Sequence, residues 1–345
     1  MRKLILLEII KEDFTDISIN DIERVEIAEE KAGIQFRIRI NDEKEVTKRN
    51  GGIIETIDYT GIEELKYLTD LEVRFFEEHL NIEEISELKG LKKLKINGHN
   101  LKDITFLKGL TNLTELVIPK KRENDVWIDI SVLGELQNLI GLQVGCLKLN
   151  GCEAISKLRK LEYLGLGNTG IDNVEFIKEL CQIKELQLFN NEKLNSLKGL
   201  EQLVLLEKLD LANIGSKAKF DEVGELVNLV ELDLSCYKAY IDIGLLQNLK
   251  KLEVLCLDLS KVKNFEYIKE LSALKELRME TVKTVKDFTA IGELSHLETL
   301  VLRKNRQLTD ISFLAPLKNL KHLEIYECGK IEDYSAVEHV EKVVK

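Results

Sequence analysis

The chain has 345 residues, of which 61 are acidic and 50 basic, so its formal net charge is −11. A surplus of this sign opposes nonspecific binding to phosphate backbones and to anionic lipid, because both attract basic surfaces. We therefore expect neither a nucleic-acid partner nor a membrane partner, whereas a basic protein partner fits the charge. Two prolines and no Ser/Gly/Pro-rich run argue against flexible linkers.

The first seven residues resemble the start of a signal peptide, but the resemblance ends at Glu8, which interrupts the apolar run. No stretch approaches the roughly 20 apolar residues that a transmembrane helix needs. We expect a cytoplasmic protein.

Residues 1–50 contain three short runs rich in β-branched side chains, at 4–10, 22–28 and 34–40. The segment 29–33 between the last two predicts a hairpin turn. We interpret residues 1–50 as a β-rich cap on the repeated array that follows, because the open end of such an array needs covering. A separate recognition module is the alternative, and the sequence leaves it open.

From residue 51 onward, one apolar pattern, L-x-x-L-x-L, recurs at nearly constant spacing. Its leading positions are Leu68, Leu91, Leu113, Leu139, Leu161, Ile183, Leu206, Leu229, Leu252, Leu274, Leu297 and Leu320. In the unit that starts at Leu297, Leu300 and Leu302 are two residues apart, which is typical of a strand. The apolar residues of 311–320 then step by three, as in a 3₁₀-helix. A unit of this kind needs a copy on either side to bury its apolar edge.

These repeats, with the segments 100–104 and 307–312, resemble the leucine-rich repeat family, and their short length is most similar to the bacterial internalin-type subclass. The resemblance covers roughly residues 51–345. It implies an α/β solenoid, a leucine-rich repeat horseshoe with a curved parallel concave β-sheet of about twelve strands, a convex side of 3₁₀ or short helices, and partial repeats at its ends. It also implies a non-enzymatic protein-binding scaffold, although a fold alone does not identify the ligand.

An aspartate recurs ten residues before many of the leading positions, and we expect it to accept the free amide hydrogens of the helical turn that follows. These residues are Asp58, Asp103, Asp129, Asp242, Asp287, Asp310 and Asp333. One acid per repeat is a poor site for an ion that needs six to eight oxygens. We predict no metal and no cofactor, and no histidine–nucleophile spacing indicates a catalytic residue.

Six cysteines without a C-x-x-C pair predict free thiols in a reducing compartment. They are Cys146, Cys152, Cys181, Cys236, Cys256 and Cys328. Cys152 takes a position that is isoleucine in other repeats, so we expect it in the core. Cys146 and Cys236 lie in repeats too far apart to form a disulfide.

Four glycines are predicted on adjacent strands of the concave face, where they lie beside Tyr163, Val117 and Phe189. They are Gly141, Gly145, Gly165 and Gly167. One interpretation is a bare floor that seats a side chain of the partner, because glycine in a strand often marks close approach. The alternative is that these turns simply tolerate glycine.

The later strands carry an acidic run on the same face: Asp210, Glu231, Asp233, Asp258, Glu276 and Glu280. The run indicates either steering of a basic partner or an ordinary solvated acidic surface. The predicted partner-binding residues are Tyr163, Gln187, Phe189, Asp210, Glu231, Asp233, Asp258, Glu276, Arg278 and Tyr326.

The step from Leu113 to Leu139 is 26 residues, because it contains an inserted loop at 119–125 that we expect at the concave rim. Insertions in repeats often serve binding. Trp127 follows the loop in register with Leu101, so we expect it in the core, with binding as the alternative.

The leading hypothesis is a monomeric protein-binding solenoid, in its sharper form a bacterial immunity or inhibitor protein that holds a basic toxin or effector. Two alternatives stay open. One is an internalin-like surface adhesin, for which the sequence shows no export or anchoring signal. The other is an adaptor in which residues 1–50 act as a second module.

Overall fold

The computed structural model describes residues 3–13, 18–30, 33–40, 44–51, 56–74, 78–97, 101, 103–119, 127–145 and 148–345. They belong to two compact units, a first unit of Met1–Thr169 and a second unit of Gly170–Lys345. No helix in these described ranges is long and apolar enough to cross a membrane.

The first unit is built on a parallel sheet that ends in an antiparallel hairpin extension. Its strands are β1 (Lys3–Ile5), β2 (Ile22–Glu30), β3 (Gly33–Ile40), β4 (Lys44–Gly51), β5 (Thr56–Asp58), β6 (Asp70–Arg74), β7 (Glu78–Leu80), β8 (Lys93–Asn97), β9 (Glu115–Pro119), β10 (Trp127–Asp129), β11 (Gly141–Gly145), β12 (Lys148–Asn150) and β13 (Tyr163–Gly165). The main sheet has the order β13-β11-β9-β8-β6-β2-β3-β4, and two smaller sheets have the orders β1-β5-β7 and β10-β12.

The N-terminal segment corrects one prediction and confirms two. The run 4–10 is a strand only as far as Ile5, and Leu6–Asp13 form the helix α1, which buries Leu6, Leu7 and Ile10. Apolar residues at i, i+1 and i+4 lie on one side of a helix, which explains the change of structure at Leu6. The runs 22–28 and 34–40 are the antiparallel strands β2 and β3, while residues 31 and 32 of the predicted turn lie outside the described residues.

Strand β2 also pairs in parallel with β6, so the N-terminal segment continues the sheet of the first repeats. This pairing is compatible with either role considered for residues 1–50. Their function as a cap stays a prediction.

The second unit is a parallel array. Its strands are β14 (Glu185–Gln187), β15 (Lys208–Asp210), β16 (Glu231–Asp233), β17 (Tyr240–Asp242), β18 (Val254–Cys256), β19 (Lys261–Lys263), β20 (Glu276–Arg278), β21 (Thr299–Val301), β22 (His322–Glu324) and β23 (Lys342–Val344). The main sheet has the order β14-β15-β16-β18-β20-β21-β22-β23, and β17 pairs with β19 in a second sheet. All twelve predicted strands form, each beginning two residues after its leading position, and β23 adds a strand where we expected only a partial repeat.

The return segments are short and mostly 3₁₀, as the three-residue step predicts. The 3₁₀-helices are Ile19–Asp21, Ile62–Glu64, Ile82–Glu87, Thr105–Leu107, Ser131–Glu135, Cys152–Lys157, Glu175–Ile177, Leu200–Gln202, Ile243–Leu246, Phe265–Glu270, Thr289–Glu293, Ser312–Leu314 and Ser335–Val337, and α2 is Asp221–Gly224. The aspartate prediction is confirmed. Asp310 Oδ1, for example, accepts the amide hydrogen of Ser312 at 2.8 Å, and hydrogen bonds from Thr105 lower the pKa of Asp103.

The core of each unit consists of the repeated leucines between the sheet and the return segments. Eight residues after each leading position from Leu161 to Leu320, a further side chain, here called the ladder residue, closes the turn that leaves the strand. The ladder residues are buried except for Cys328, which is partly exposed. At Asn305, Nδ2 donates to the carbonyl of Met279 at 2.6 Å, and Oδ1 accepts the amide hydrogen of Val282 at 2.8 Å. Ser260 plays a similar part, since its Oγ donates to the carbonyl of Leu234. Buried backbone groups need such partners, so these ladder residues join neighbouring repeats.

The residue just before each ladder position has a left-handed backbone, because the chain turns sharply there. These residues are Asn168, Asn190, Asn213, Cys236, Leu259, Thr281, Lys304 and Glu327, with φ between 55° and 61°. Asparagine tolerates this conformation, whereas a leucine in it is uncommon.

The cysteines follow the prediction in part. Cys152, Cys181, Cys236, Cys256 and Cys328 are free thiols, and Cys146 lies outside the described residues, as does the predicted separation of Cys146 from Cys236. The prediction that Cys152 lies in the core is wrong. Cys152 begins a 3₁₀-helix and is partly exposed, and Ile155 fills the core position one turn later. Both units are thus leucine-rich repeat solenoids of the α/β type, as the sequence resemblance implies.

Candidate partner-binding surface

Alternate strand residues point away from the core and form one face of the sheet in each unit, here called the open face. In β16, Leu232 is buried while Glu231 and Asp233 are partly exposed on this face. Tyr163 belongs to the open face of the first unit. The other nine predicted site residues lie in the second unit, so the predicted Tyr163–Phe189 patch combines residues of two units and stays a prediction.

The predicted bare glycine floor is wrong at two of its four positions. Gly165 and Gly167 are buried. A Cβ on Gly165 would lie 2.8 Å from the Tyr163 hydroxyl oxygen, so the tyrosine side chain already covers this glycine. A Cβ on Gly145 would lie 3.4 Å from the carbonyl oxygen of Gly167. Gly165 therefore accommodates packing within the first unit, rather than leaving a space for a partner, whereas Gly141 and Gly145 are partly exposed.

Four acids of the predicted acidic run have cations of the protein beside them. Lys208 Nζ lies 2.5 Å from Glu231 Oε1. Arg278 lies 3.7 Å from both Asp258 Oδ2 and Glu276 Oε1. Glu280 is contacted by Lys304 Nζ at 2.6 Å and by Arg303 at 3.6 Å. Most of the acidic run is therefore neutralised by the protein itself.

Asp210 and Asp233 differ from these acids. They are direct neighbours in the register of β15 and β16. Asp210 Oδ1 accepts the amide hydrogen of Ala212 at 2.9 Å, and Asp233 Oδ1 accepts that of Ser235 at 2.8 Å. Within the described part of the chain, no Lys, Arg or His nitrogen lies within 4 Å of either carboxylate. Two neighbouring negative charges are left without a cation.

Asp210, Asp233 and Cys256 are register partners on three neighbouring strands, and the negative charge of this row raises pKa values within it. Burial, together with the charge of Asp233, raises the pKa of Asp210 to about 6. The next residue in the row is Cys256, opposite Asp233. Burial, then the charges of Asp233 and Asp258, raise the pKa of its thiol to about 12, so it stays protonated and is a poor nucleophile at neutral pH.

The last strands of the second unit present an aromatic residue held by an arginine. The Arg303 guanidinium lies over the Tyr326 ring, 5.2 Å from its centroid. Arg303 Nε also donates to Glu324 Oε2 at 2.6 Å, which fixes the arginine between the ring and the carboxylate. Tyr326 is thus a partly exposed aromatic side chain in a defined position, of the type found at binding hot spots.

The open face of the first unit is charge-paired around Glu72. Its carboxylate is contacted by Arg74 Nε at 2.6 Å, Lys95 Nζ at 3.0 Å and Arg24 at 3.5 Å. Arg74 also contacts Glu26 at 3.3 Å. Burial of Glu72 works against its ionisation, but the bonds from Arg74 and Lys95 prevail and lower its pKa. The cluster borders a cleft of about 320 Å³.

The prediction that Trp127 lies in the core is wrong. Its side chain is 50% exposed on β10, with Lys148 Nζ 5.9 Å from the ring centroid. In β10 only the middle residue, Ile128, is buried, and the alternation of a strand turns Trp127 outward. Residues 120–125 of the predicted loop lie outside the described residues.

The described residues include no group of three or more His, Cys, Asp or Glu side chains arranged to hold a metal ion. The sequence prediction missed the cations that neutralise the acidic run. The spacing between a cation and an acid could have revealed these pairs. Lys208 and Glu231, for example, are 23 residues apart, which is one repeat, so they lie on adjacent strands.

Comparison with known proteins agrees with this fold. A family model described as leucine-rich repeats matches residues 295–339. An internalin (inlF) of Listeria monocytogenes has a similar structure, with a TM-score of 0.67 and 23% identity over 82% of this chain and 82% of that chain. A leucine-rich repeat protein of Leptospira interrogans gives a TM-score of 0.50 with 21% identity over 84% of this chain and 89% of that chain. At these identities the likeness is one of fold.

A curated relative, the disease resistance protein UNI of Arabidopsis thaliana, is 27% identical over 210 residues. The match includes 58% of this chain, which spans about a quarter (23%) of the length of that relative. The chain therefore has a leucine-rich repeat fold, which is similar to that of a bacterial internalin. Proteins of this fold are scaffolds that bind protein partners on extended surfaces.

Proposed function

We propose that this scaffold holds a basic segment of a protein partner on the open face of its second unit, at Asp210 and Asp233. The observation that carries the proposal is the contrast within one sheet. Glu231, Asp258, Glu276 and Glu280 each have a cation within 4 Å, whereas the described chain supplies none to Asp210 and Asp233. A lysine or arginine of a partner would supply the missing charge.

The geometry favours a cation over other ligands. Oδ1 of each carboxylate already accepts one backbone amide hydrogen, which fixes the orientation of the side chain. The second oxygen of each carboxylate is left to accept further hydrogen bonds. Two carboxylates on neighbouring strands, about 5 Å apart, suit an ammonium or guanidinium group that donates to both.

The finer proposal is an immunity or inhibitor protein that binds a basic toxin or effector as a monomer in the cytoplasm. The acidic pair supports a basic partner, and the free cysteines are the state expected in a reducing compartment. Arg278 and Tyr326 are proposed as flanking contacts, because each is held by neighbouring side chains on the same open face.

The test is a pull-down from native lysate, read by quantitative mass spectrometry, with Asp210→Asn/Asp233→Asn. Asparagine keeps the Oδ1 acceptor, so the turns after both strands are retained. The control is Glu266→Gln/Glu338→Gln, which removes the same charge from exposed positions in return segments. We expect a basic partner that the wild type and the control retain and that the double variant loses by about tenfold or more. Equal recovery by all three proteins would exclude this site.

A further inference from the structure

A second charged surface lies where the chain leaves the strands of the second unit. Five such segments, residues 213–220, 236–241, 259–263, 281–286 and 304–309, contain nine basic residues and no acidic residue. The nine are Lys217, Lys219, Lys238, Lys261, Lys263, Lys283, Lys286, Lys304 and Arg306, here called the basic rim. Such a cluster is unexpected in a chain with a net charge of −11.

The fold turns these side chains outward. The ladder residues Ser260, Val282 and Asn305 are buried, and the residue that follows each of them is exposed. In this way Lys261 follows Ser260, Lys283 follows Val282, and Arg306 follows Asn305. These three cations come from consecutive repeats, so they are spaced by roughly one strand separation, about 5 Å. All nine side chains of the basic rim are exposed.

Buried and partly buried hydrogen bonds hold the segments against one another. The Tyr237 hydroxyl donates to the carbonyl of Ala218 at 2.5 Å, and the Tyr237 amide donates to Ser260 Oγ at 3.2 Å. Gln307 Nε2 donates to the carbonyls of Val282 and Val285 at 2.8 and 2.9 Å. The basic rim is therefore carried on a rigid edge, which lowers the entropy cost of binding to it.

Three of the nine cations have carboxylate partners. Lys238 lies 3.3 Å from Glu192, Lys263 3.0 Å from Asp242, and Lys304 2.6 Å from Glu280. The other six, which are Lys217, Lys219, Lys261, Lys283, Lys286 and Arg306, have no carboxylate oxygen within 4 Å in the described part of the chain. Their mutual repulsion makes an acidic ligand favourable.

Apolar groups lie among these charges. Tyr240 is 56% exposed and is the register partner of Lys261 in the β17–β19 pair. Leu259 is also 56% exposed, two residues before Lys261. A cleft of about 260 Å³ is lined by Lys263 and Lys286, by the acids Glu266 and Asp287, and by the apolar Phe265 and Val285. The basic rim thus combines uncompensated cations, two exposed apolar side chains and a depression.

We propose that the basic rim is a second docking surface, which binds an acidic protein segment carrying apolar side chains. The acidic residues of this segment pair with Lys261, Lys283 and Arg306, while its apolar residues contact Tyr240 and Leu259. A nucleic acid is the competing ligand for a row of cations. The aliphatic Leu259 offers nothing to a phosphodiester backbone, and the net charge of the chain opposes a long polyanion.

The test measures binding by fluorescence anisotropy at low ionic strength. The probe is a short labelled peptide in which glutamate alternates with leucine and tyrosine. A second peptide has serine in place of the leucine and tyrosine, and a single-stranded DNA oligonucleotide carries the same number of negative charges. We expect the wild type to bind the first peptide more tightly than either of the other probes.

Charge reversal at three positions, Lys261→Glu/Lys283→Glu/Arg306→Glu, is expected to weaken binding of the first peptide by about tenfold or more. The matched control is Lys178→Glu/Lys318→Glu/Lys342→Glu, which makes the same change of net charge at exposed positions elsewhere in the second unit. The affinity of the control variant for the first peptide is expected to fall by less than about threefold. Circular dichroism checks folding, and Lys261→Gln/Lys283→Gln/Arg306→Gln replaces the reversal variant if that variant unfolds.

Three results would overturn the proposal. The first is no binding of the glutamate–leucine–tyrosine peptide to the wild type. The second is an equal loss in the rim and control variants, which would mean that net charge alone acts. The third is that the wild type binds the DNA as tightly as the first peptide, and that Tyr240→Ser/Leu259→Asn changes the affinity for neither probe. The binding test of Asp210 and Asp233 is independent of all three.

Discussion

The open faces of the two units use charge in different ways. In the first unit, Glu72 is contacted by Arg24, Arg74 and Lys95, and its side chain is only 13% exposed. In the second unit, Asp210 and Asp233 are neighbours with no cation within 4 Å in the described chain. The same repeat thus produces a charge-paired acidic residue in one unit and a pair of acidic residues without a cation in the other. Such residual charge is available for a partner.

The largest expected effect is on the stability of the first unit. Glu72→Gln removes the carboxylate on which three cations converge, and we expect a loss of about 2 kcal/mol in the free energy of unfolding. Urea denaturation followed by circular dichroism measures the loss. The control is Glu231→Gln, whose single lysine contact is well exposed, and we expect it to cost no more than about 0.5 kcal/mol.

The pH dependence sharpens this test. The pKa of Glu72 is lowered below 4.5 in the folded protein, so the stabilisation is present above that value and is lost as the pH falls through the folded pKa. The difference between wild type and Glu72→Gln should shrink on acidification. A difference that stays constant from neutral pH to below pH 4 would show that the charge of Glu72 is not the cause.

The second expected effect is a gain in stability on removal of the charge of Asp210. The pKa of Asp210 is raised to about 6, so the folded state binds a proton more tightly than the unfolded state, and stability falls as the pH rises from about 4 to 6. Asp210→Asn should therefore stabilise the protein at pH 7.5 by about 1 kcal/mol, a value reduced for the partial solvent exposure of the carboxyl group.

The same substitution is expected to weaken binding of the basic partner. Binding by the wild type should also weaken as the pH falls through 6, because protonation removes the charge of Asp210. Thermal unfolding and binding measured across this pH range check both expectations. Destabilisation by Asp210→Asn at pH 7.5 would contradict the assignment of an uncompensated charge.

The smallest expected effect concerns the basic rim of the second unit. Leu259 has φ of 58°, a left-handed conformation in which asparagine is tolerated better than leucine. We expect Leu259→Asn to raise the free energy of unfolding by about 0.5–1 kcal/mol. Leu259→Ala is the matched control, since alanine removes the exposed side chain without relieving the backbone. An equal gain from alanine would show that the backbone conformation is not responsible.

The predictions that follow from repetition were accurate. Apolar residues at constant spacing placed all twelve strands, because only one register buries every leucine. The aspartates before the return segments were also assigned correctly, since the bond from Asp310 to the amide of Ser312 spans two residues and is local. Trp127 and Cys152 were misplaced because their register was taken from other repeats. The sequence insertion at 119–125 precedes Trp127. Cys152 is the first residue of its 3₁₀-helix, whereas Ile104, from which its register was taken, precedes the first residue of its own.

The candidate site was less predictable from the sequence. Residues on one face could be identified, but whether an acid is neutralised depends on side chains one repeat away, such as Lys208 beside Glu231. The glycine interpretation failed for a similar reason. The side chain that covers Gly165 comes from Tyr163 on the same strand. Whether it covers the glycine depends on the side-chain conformation of the tyrosine, which the sequence pattern does not specify.

The sequence by itself determined the solenoid, the positions of its strands, the capping aspartates and the acidic run. These depend on periodicity and on bonds between near neighbours, which any copy of the repeat makes. Only the tertiary structure decided which charges remain without a partner, because an ion pair forms between atoms within about 4 Å. Residues one repeat apart come that close only when the register of the sheet and the side-chain conformations allow it. That selection left Asp210 and Asp233 without a cation and six cations of the basic rim without a carboxylate.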